Sequence, residues 1–259
     1  MPTDYPHLEI DASELTFEIL EAMLVRYNCL VIRRFALPML MERILQRALQ
    51  VFEQRQQFAA AANPAKSHVS FIGIHELDLP GAPPHQILTM FAASKLKPLI
   101  QQLIGTPIYF NLAEAACRKI LPQRPDLLVL FHQDGFFDLT PPWRHINCWL
   151  PLVPCGIDAP GIAVVPSGLQ DMLSKPSADN SAVARYGFPE CAAYVASHSD
   201  ALWQPALNPG DVLIMNEFAV HGSFGTPTMT KTRYNLELRF VSGDIPDTLK
   251  QQYGLIEVG

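Results

Sequence analysis

Positive charge is thin in this sequence and never concentrated. No stretch holds more than two consecutive Lys or Arg residues, and the formal charge at pH 7 is −6. Phosphate binding needs a dense basic face, so this balance argues against nucleic acid as a partner. No apolar run approaches the roughly 18 residues of a membrane span, and the opening MPTDYPHLEIDASE is acidic and polar, unlike a signal peptide. Cysteine is sparse and odd in number: Cys29, Cys117, Cys148, Cys155 and Cys191, with no CxxC pair. That excludes a disulfide framework or zinc knuckle and predicts free thiols in a reducing cytoplasm. Internal repeats and low-complexity tracts are also missing. Apolar residues, by contrast, make up 49% of 259, enough for one well-filled single domain. The 23 prolines predict many short elements joined by turns.

Residues 1–106 read as a mostly helical support. Asp11 and Glu14 have capping-box spacing ahead of a helix from Leu15 to Tyr27. CLVIRRF (29–35) is strand-like, and Leu40, Ile44, Leu45, Ala48, Val51 and Phe52 recur at helical spacing after Pro38. A third helix is predicted over about 85–104, stopped by Gly105. From Pro107 the grammar changes to short apolar or alternating runs: PIYFNL, LLVLFHQD, INCWLPLV, GIAVVP, DVLIMN and RYNLELRFV. Turn signals separate them, among them Pro141-Pro142 and Asn208-Pro209-Gly210. This is the pattern of an antiparallel sandwich or barrel, with the helices braced against one sheet. Residues 170–201, rich in Ser, Ala and Asp, read as an insertion placed where a lid would sit.

In LLVLFHQDGFF the strand pattern runs into His132-Gln133-Asp134. Alternate side chains of a strand share a face, so His132 and Asp134 point together and Gln133 points away. An imidazole beside a carboxylate is two-thirds of the 2-His-1-carboxylate set that holds non-haem iron. Alone this is weak: 8 His and 13 Asp give roughly 0.4 such pairs by chance. A second pair, His198 and Asp200, has no strand leading into it and reads as solvated polarity. The first pair gains from residues further along the chain. His221 ends NPGDVLIMNEFAVHGS, and twelve residues on Arg233 opens RYNLELRF. A guanidinium at a strand start is a two-pronged clamp for a carboxylate, such as the far end of a 2-oxo acid. Arg239 shares the face of Arg233, but six residues, about 20 Å of strand, separate them. A single site is therefore expected to use Arg233, with Arg239 as a salt-bridge partner. Asn235 faces inward by the same parity. Arg144, His145 and Asn147 read as turn polarity, and Phe136 and Phe137 as core.

The order HQD, NCWLPL, GIAVVPSG, PGDVLIMNEFAVHGS, RYNLELRF resembles the phytanoyl-CoA dioxygenase-like family of Fe(II)/2-oxoglutarate oxygenases, over roughly residues 107–241. The family often closes its third motif with Pro-Gly-Ser-His; here it reads VVPSGLQ. The resemblance implies a double-stranded β-helix (jelly-roll) core and iron on His132, Asp134 and His221. It also implies 2-oxoglutarate on Arg233, with Trp149 lining its pocket; Asn235, inward by parity, reads either as a further cosubstrate contact or as an ordinary interior polar residue. The cofactors implied are Fe(II), 2-oxoglutarate and O2. The activity implied is hydroxylation, or desaturation or cyclisation, of an unactivated C–H in a small molecule, releasing succinate and CO2. Related halogenating enzymes lack the carboxylate that stands here at Asp134. Two alternatives stay open: a cupin-like metalloenzyme using no 2-oxo acid, and a non-catalytic β-sandwich binding module. A monomer or weak homodimer is expected, without a membrane or nucleic-acid partner.

Overall fold

The computed structural model describes residues 5–62, 68–78, 86–134, 143–173 and 188–258. Its strands are β1 (Glu9–Asp11), β2 (Cys29–Arg33), β3 (Phe71–Gly73), β4 (Ile108–Asn111), β5 (Ala116–Ile120), β6 (Arg144–Pro151), β7 (Gly161–Val165), β8 (Val212–Asn216), β9 (Val220–Phe224), β10 (Arg233–Ser242) and β11 (Leu255–Glu257). The helices are α1 (Phe17–Tyr27), α2 (Pro38–Ala62), α3 (Gln86–Ala92), α4 (Leu96–Ile104), α5 (Pro189–Ser197) and α6 (Asp247–Gln252).

Two sheets face each other. The larger runs β1-β2-β8-β6-β10-β4-β11, with β5 also on β10 and β3 on β5. Only β1–β2 among these pairings is parallel. The smaller sheet pairs β7 with β9. Single bridges from Val164 to Trp203 and from His221 to His132 widen it on either side. The architecture is mainly β with flanking helices and a jelly-roll core, as expected from the sequence.

Period-two alternation decides what each face of the large sheet meets. Leu30 and Ile32 of β2, Ile146, Cys148 and Leu150 of β6, and Leu236, Leu238 and Phe240 of β10 turn outward. There they join Leu20 and Leu24 of α1, the apolar stripe of α2, and Phe91, Leu96 and Ile100 of α3 and α4. Alternate residues of β2 and β6, Cys29, Val31 and Trp149, with Leu213 and Met215 of β8, face inward against Ile162 and Val164 of β7. Both faces are therefore buried. The polar residues that alternate along β10 are enclosed between the sheets, out of solvent.

Several local expectations are revised. Helix α1 starts later than the Asp11/Glu14 spacing implies. Its cap is Thr16, whose side chain accepts from Ile19 N, while Asp11 ends β1 and binds Ser13. The helix predicted over 85–104 is two. Pro98 lacks an N–H and its ring would strike the preceding turn of a continuous helix, so it sits in the first turn of α4. Ser94 bridges the break, its hydroxyl donating to Phe91 O and accepting from Leu96 N. The helical support also contributes β1, β2 and β3 to the large sheet. Strands β5, β9 and β11 carry no clear strand pattern in the sequence. Of the insertion at 170–201, residues 174–187 lie outside the described residues; its remainder contains α5, which buries Cys191. All five cysteines are free and buried. No described helix is long and apolar enough to cross a membrane.

Phe240 joins the layers. It is fully buried, stacks on Phe91 at 3.9 Å between ring centroids and packs against Phe110 at 5.5 Å. Phe240→Ala is expected to cost about 3–5 kcal/mol of stability, read as a fall in the urea midpoint with an unchanged slope.

Candidate active site

Residues 127–134 do not form the regular strand read from LLVLFHQD. After a short helical turn at Pro125–Leu127 the chain runs antiparallel to β9 as an irregular edge. Ser223 N donates to Val129 O at 2.7 Å, and His132 and His221 exchange backbone bonds at 2.9 and 3.0 Å. Three steps from Val129 to His132 oppose two from Ser223 to His221. The surplus residue is a bulge that breaks the ladder. Gly222 permits the close approach: a Cβ there would lie 3.1 Å from Phe131 N and from Val129 O. His132 and Asp134 converge as expected, although Asp134 lies beyond the last bridge to β9 and on no regular strand. Gln133 turns away, donating to Phe218 O at 2.8 Å and accepting from Leu173 N at 2.8 Å.

His221, expected in a polar exit segment, stands on β9. His132 Nε2 lies 3.6 Å from Asp134 Oδ1, and His221 Nε2 lies 3.7 Å from Asp134 Oδ2. Donors about 2.1 Å from one ion would be separated by roughly 3.0–3.5 Å, close to what is seen. All three are buried, with ligand atoms within 4.8 Å of one another. Nδ1 of His132 faces Leu130 O at 2.8 Å and Nδ1 of His221 faces Ala219 O at 3.0 Å. Those carbonyls can only accept, which assigns a proton to each Nδ1 and turns each Nε2 toward Asp134. Burial, with His132 close by, pushes the His221 imidazole down to about 4, so it is neutral and able to ligate at pH 7. The set of two nitrogens and one carboxylate fits Fe(II) or a similar divalent ion.

Burial alone would raise the Asp134 carboxyl, but Arg239, His221 and His132 hold it well below the usual carboxylate range. Arg239 Nη1 donates to Oδ1 at 2.6 Å and Asn147 Nδ2 to Oδ2 at 2.6 Å. Asn147, read from sequence as turn polarity, is thus buried on β6 against the Asp134 carboxylate. Arg239 is a salt-bridge partner as expected, and its partner is Asp134. The premise that one site cannot reach both Arg233 and Arg239 fails. Both line one pocket, a cavity of about 20 Å³. A second buried pair lines it too: Arg118 of β5 grips Glu237 with bonds of 2.7 and 2.8 Å. Sequence reasoning misses Arg118 because β5 is not recognisable as a strand.

Arg233 is only 1% exposed. Its Nη1 donates to Gly161 O at 2.7 Å, Nη2 to Ser223 Oγ at 3.0 Å, and its plane lies 5.6 Å over Trp149. Burial lowers it to about 10, with Glu237 opposing the shift, so it remains a cation at neutral pH. Among the described residues no carboxylate lies within ion-pair distance of it, and its Nε is buried without an acceptor. Asn235 is fully buried and donates to Glu237 Oε1 at 3.3 Å, its own carbonyl oxygen without a donor. His198 and Asp200 are exposed and take no part. Phe136 and Phe137 lie outside the described residues.

No family model and no curated protein matches the sequence. Solved structures do match. The non-heme alpha ketoglutarate dependent carbocyclase SnoK from nogalamycin biosynthesis aligns with a TM-score of 0.60 at 12% identity, covering 91% of this chain and 87% of its own. AviO1 from Streptomyces viridochromogenes Tue57 aligns at 0.58 and 14% identity, covering 90% and 97%. EvdO2 from Micromonospora carbonacea var. aurantiaca, determined in complex with 2-oxoglutarate, aligns at 0.51 and 11% identity, covering 86% and 89%. At these identities the likeness establishes a shared fold.

The buried Glu237 generates a pH expectation. Burial would raise its carboxyl, yet Arg118 above all holds it at about 2 against an ordinary 4.5. A depressed folded value gives stability that is fully present above 4.5 and lost as pH falls toward about 2. Glu237→Gln should therefore be less stable than the parent at pH 7. The gap between their urea midpoints should narrow from pH 5 to pH 3.

Proposed function

We propose that this chain is an Fe(II)- and 2-oxoglutarate-dependent dioxygenase that oxidises an unactivated C–H bond of a small molecule. One observation carries the reading: a buried guanidinium without a carboxylate, Arg233, lines the same pocket as the two histidines of a buried His-Asp-His set. An isolated buried charge costs several kcal/mol, and the anionic end of a 2-oxo acid would remove that cost. His132, Asp134 and His221 would hold the iron. Bound there, Fe(II), 2-oxoglutarate and O2 supply the oxidising chemistry and release succinate and CO2.

The chain's own contributions rest on its geometry. Backbone carbonyls hold Nδ1 of both histidines, which orients the rings with Nε2 toward Asp134. Asp134 is ionised in advance. Arg233 offers charge to the far carboxylate, and the Ser223 hydroxyl, which accepts from Arg233, keeps its own proton to donate to the same group. Trp149 forms the floor under the guanidinium, while Val129 and Ile162 line the pocket and exclude water. Asn235, inward by parity, touches Glu237, and its role toward the cosubstrate runs through that carboxylate. The carboxylate at position 134 favours hydroxylation, desaturation or cyclisation over halogenation. The carbocyclase among the fold's neighbours fits the last of these. Soluble small-molecule chemistry in the cytoplasm agrees with the five buried thiols.

Two charge-assisted bonds contribute roughly 1.5–3 kcal/mol each, and severing a buried pair costs about 3–5 kcal/mol. Arg233→Ala should raise the apparent constant for 2-oxoglutarate at least about a hundredfold, at 1.4 kcal/mol per decade, and retain iron. Succinate release against 2-oxoglutarate concentration measures it. His132→Ala and His221→Ala should each lose stoichiometric Fe(II) in metal analysis. A wild type that binds iron yet neither binds nor turns over 2-oxoglutarate would favour the cupin-like alternative.

A further inference from the structure

Asp134 lies on no strand, and the bulged edge before it supplies little rigidity. Its two oxygens are nevertheless both held by donors from the large sheet: Arg239 Nη1 at 2.6 Å on Oδ1 and Asn147 Nδ2 at 2.6 Å on Oδ2. Arg239 and Asn147 are directly opposite in the β6–β10 ladder, so strand register fixes the distance between the two donors. All three residues are enclosed in the fold. Glu237, the other acid nearby, is engaged by both prongs of Arg118, while Arg239 reaches past it to Asp134.

We propose that Arg239 and Asn147 form a sheet-built cradle that sets the plane of the Asp134 carboxylate for metal binding. The inference rests on the reading of His132, Asp134 and His221 as a metal centre. Both are positioning residues and neither touches the ion. A carboxylate has about four acceptor directions over its two oxygens, so each oxygen can accept a cradle bond and still face the histidines. The planar guanidinium fixes a direction that an ammonium would not. The two imidazoles are oriented by backbone carbonyls; the cradle gives the third ligand an equivalent constraint.

Co(II) substituted for Fe(II) tests this, because its visible absorption reports the number and arrangement of ligands without turnover. Co(II) affinity and spectra would be compared for wild type, Arg239→Met, Arg239→Lys and Asn147→Ala, with folding checked by circular dichroism. Arg239→Met is expected to bind Co(II) about 10–100-fold more weakly with an altered spectrum. Arg239→Lys should recover part of the affinity without the wild-type spectrum, and Asn147→Ala should shift both readouts in the same direction. A residue needed only for folding would lower stability and leave the spectrum of bound Co(II) unchanged. A folded Arg239→Met with wild-type affinity and spectrum overturns the cradle. So does tighter binding, which would mean that the guanidinium merely repels the ion. Should Arg239→Met fail to fold, Asn147→Ala decides: unchanged affinity and spectrum overturn the proposal. A wild type that binds no Co(II) removes the metal reading itself, whereas a binding wild type with insensitive variants removes the cradle alone.

Discussion

Asp134 is a carboxylate withdrawn from water, and the surrounding structure is organised around keeping it charged. Moving such a group into a protein interior costs several kcal/mol unless cations and hydrogen-bond donors replace its hydration. Arg239 and Asn147 do so, and Arg239 must then be drawn largely out of solvent as well. Arg118 and Glu237 beside them form a self-contained pair. The consequence spreads along β10, where Arg233, Asn235, Glu237 and Arg239 fill one face and apolar residues the other. The strand is tolerated only because helices cover its apolar face and β7 and β9 cover its polar one. Arg233 is the exception in this balance, a buried cation whose hydrogen-bond partners are both neutral.

The three histidine and aspartate side chains also come from different structural bodies. His221 stands on the small sheet and His132 is joined to it by paired backbone bonds. Asp134 is fastened to the large sheet through β6 and β10. The small sheet has one two-stranded ladder of its own and otherwise relies on single bridges. Gly222, between His221 and Ser223, lets the bulged edge close over that ladder.

Much of this is legible in the residues. His132, Asp134 and His221, picked out by their order, lie together, and Arg233 and Trp149 line a pocket with the two histidines. The jelly-roll class is visible in short strands punctuated by turns. What escapes has physical causes. A bulge has no composition signature, so LLVLFHQD looks like a regular strand where the chain is an irregular edge. Along β10 a polar–apolar alternation normally marks one wet face. Here both faces are dry, so Glu237 and Arg239 carry no sequence sign of being interior. Asn147 suffers from lying close to a Pro-Pro turn, and Arg118 from sitting in ACRKI, too short and too basic to read as a strand. Pro98 does announce the break between α3 and α4, but helical periodicity on both sides masks it.

The cysteines, ordinary core residues by their burial, bear on how the molecule would age. Burial raises all five thiols, Cys155 and Cys191 to about 12 and the other three further. Thiolate, the species that reacts with peroxide and with electrophiles, is then almost absent at neutral pH. A protein proposed to bring O2 to a redox-active ion would leak oxidants at its own centre from time to time. This one presents them with no activated sulfur, and oxidative wear would fall first on the ligand histidines and exposed methionines such as Met39.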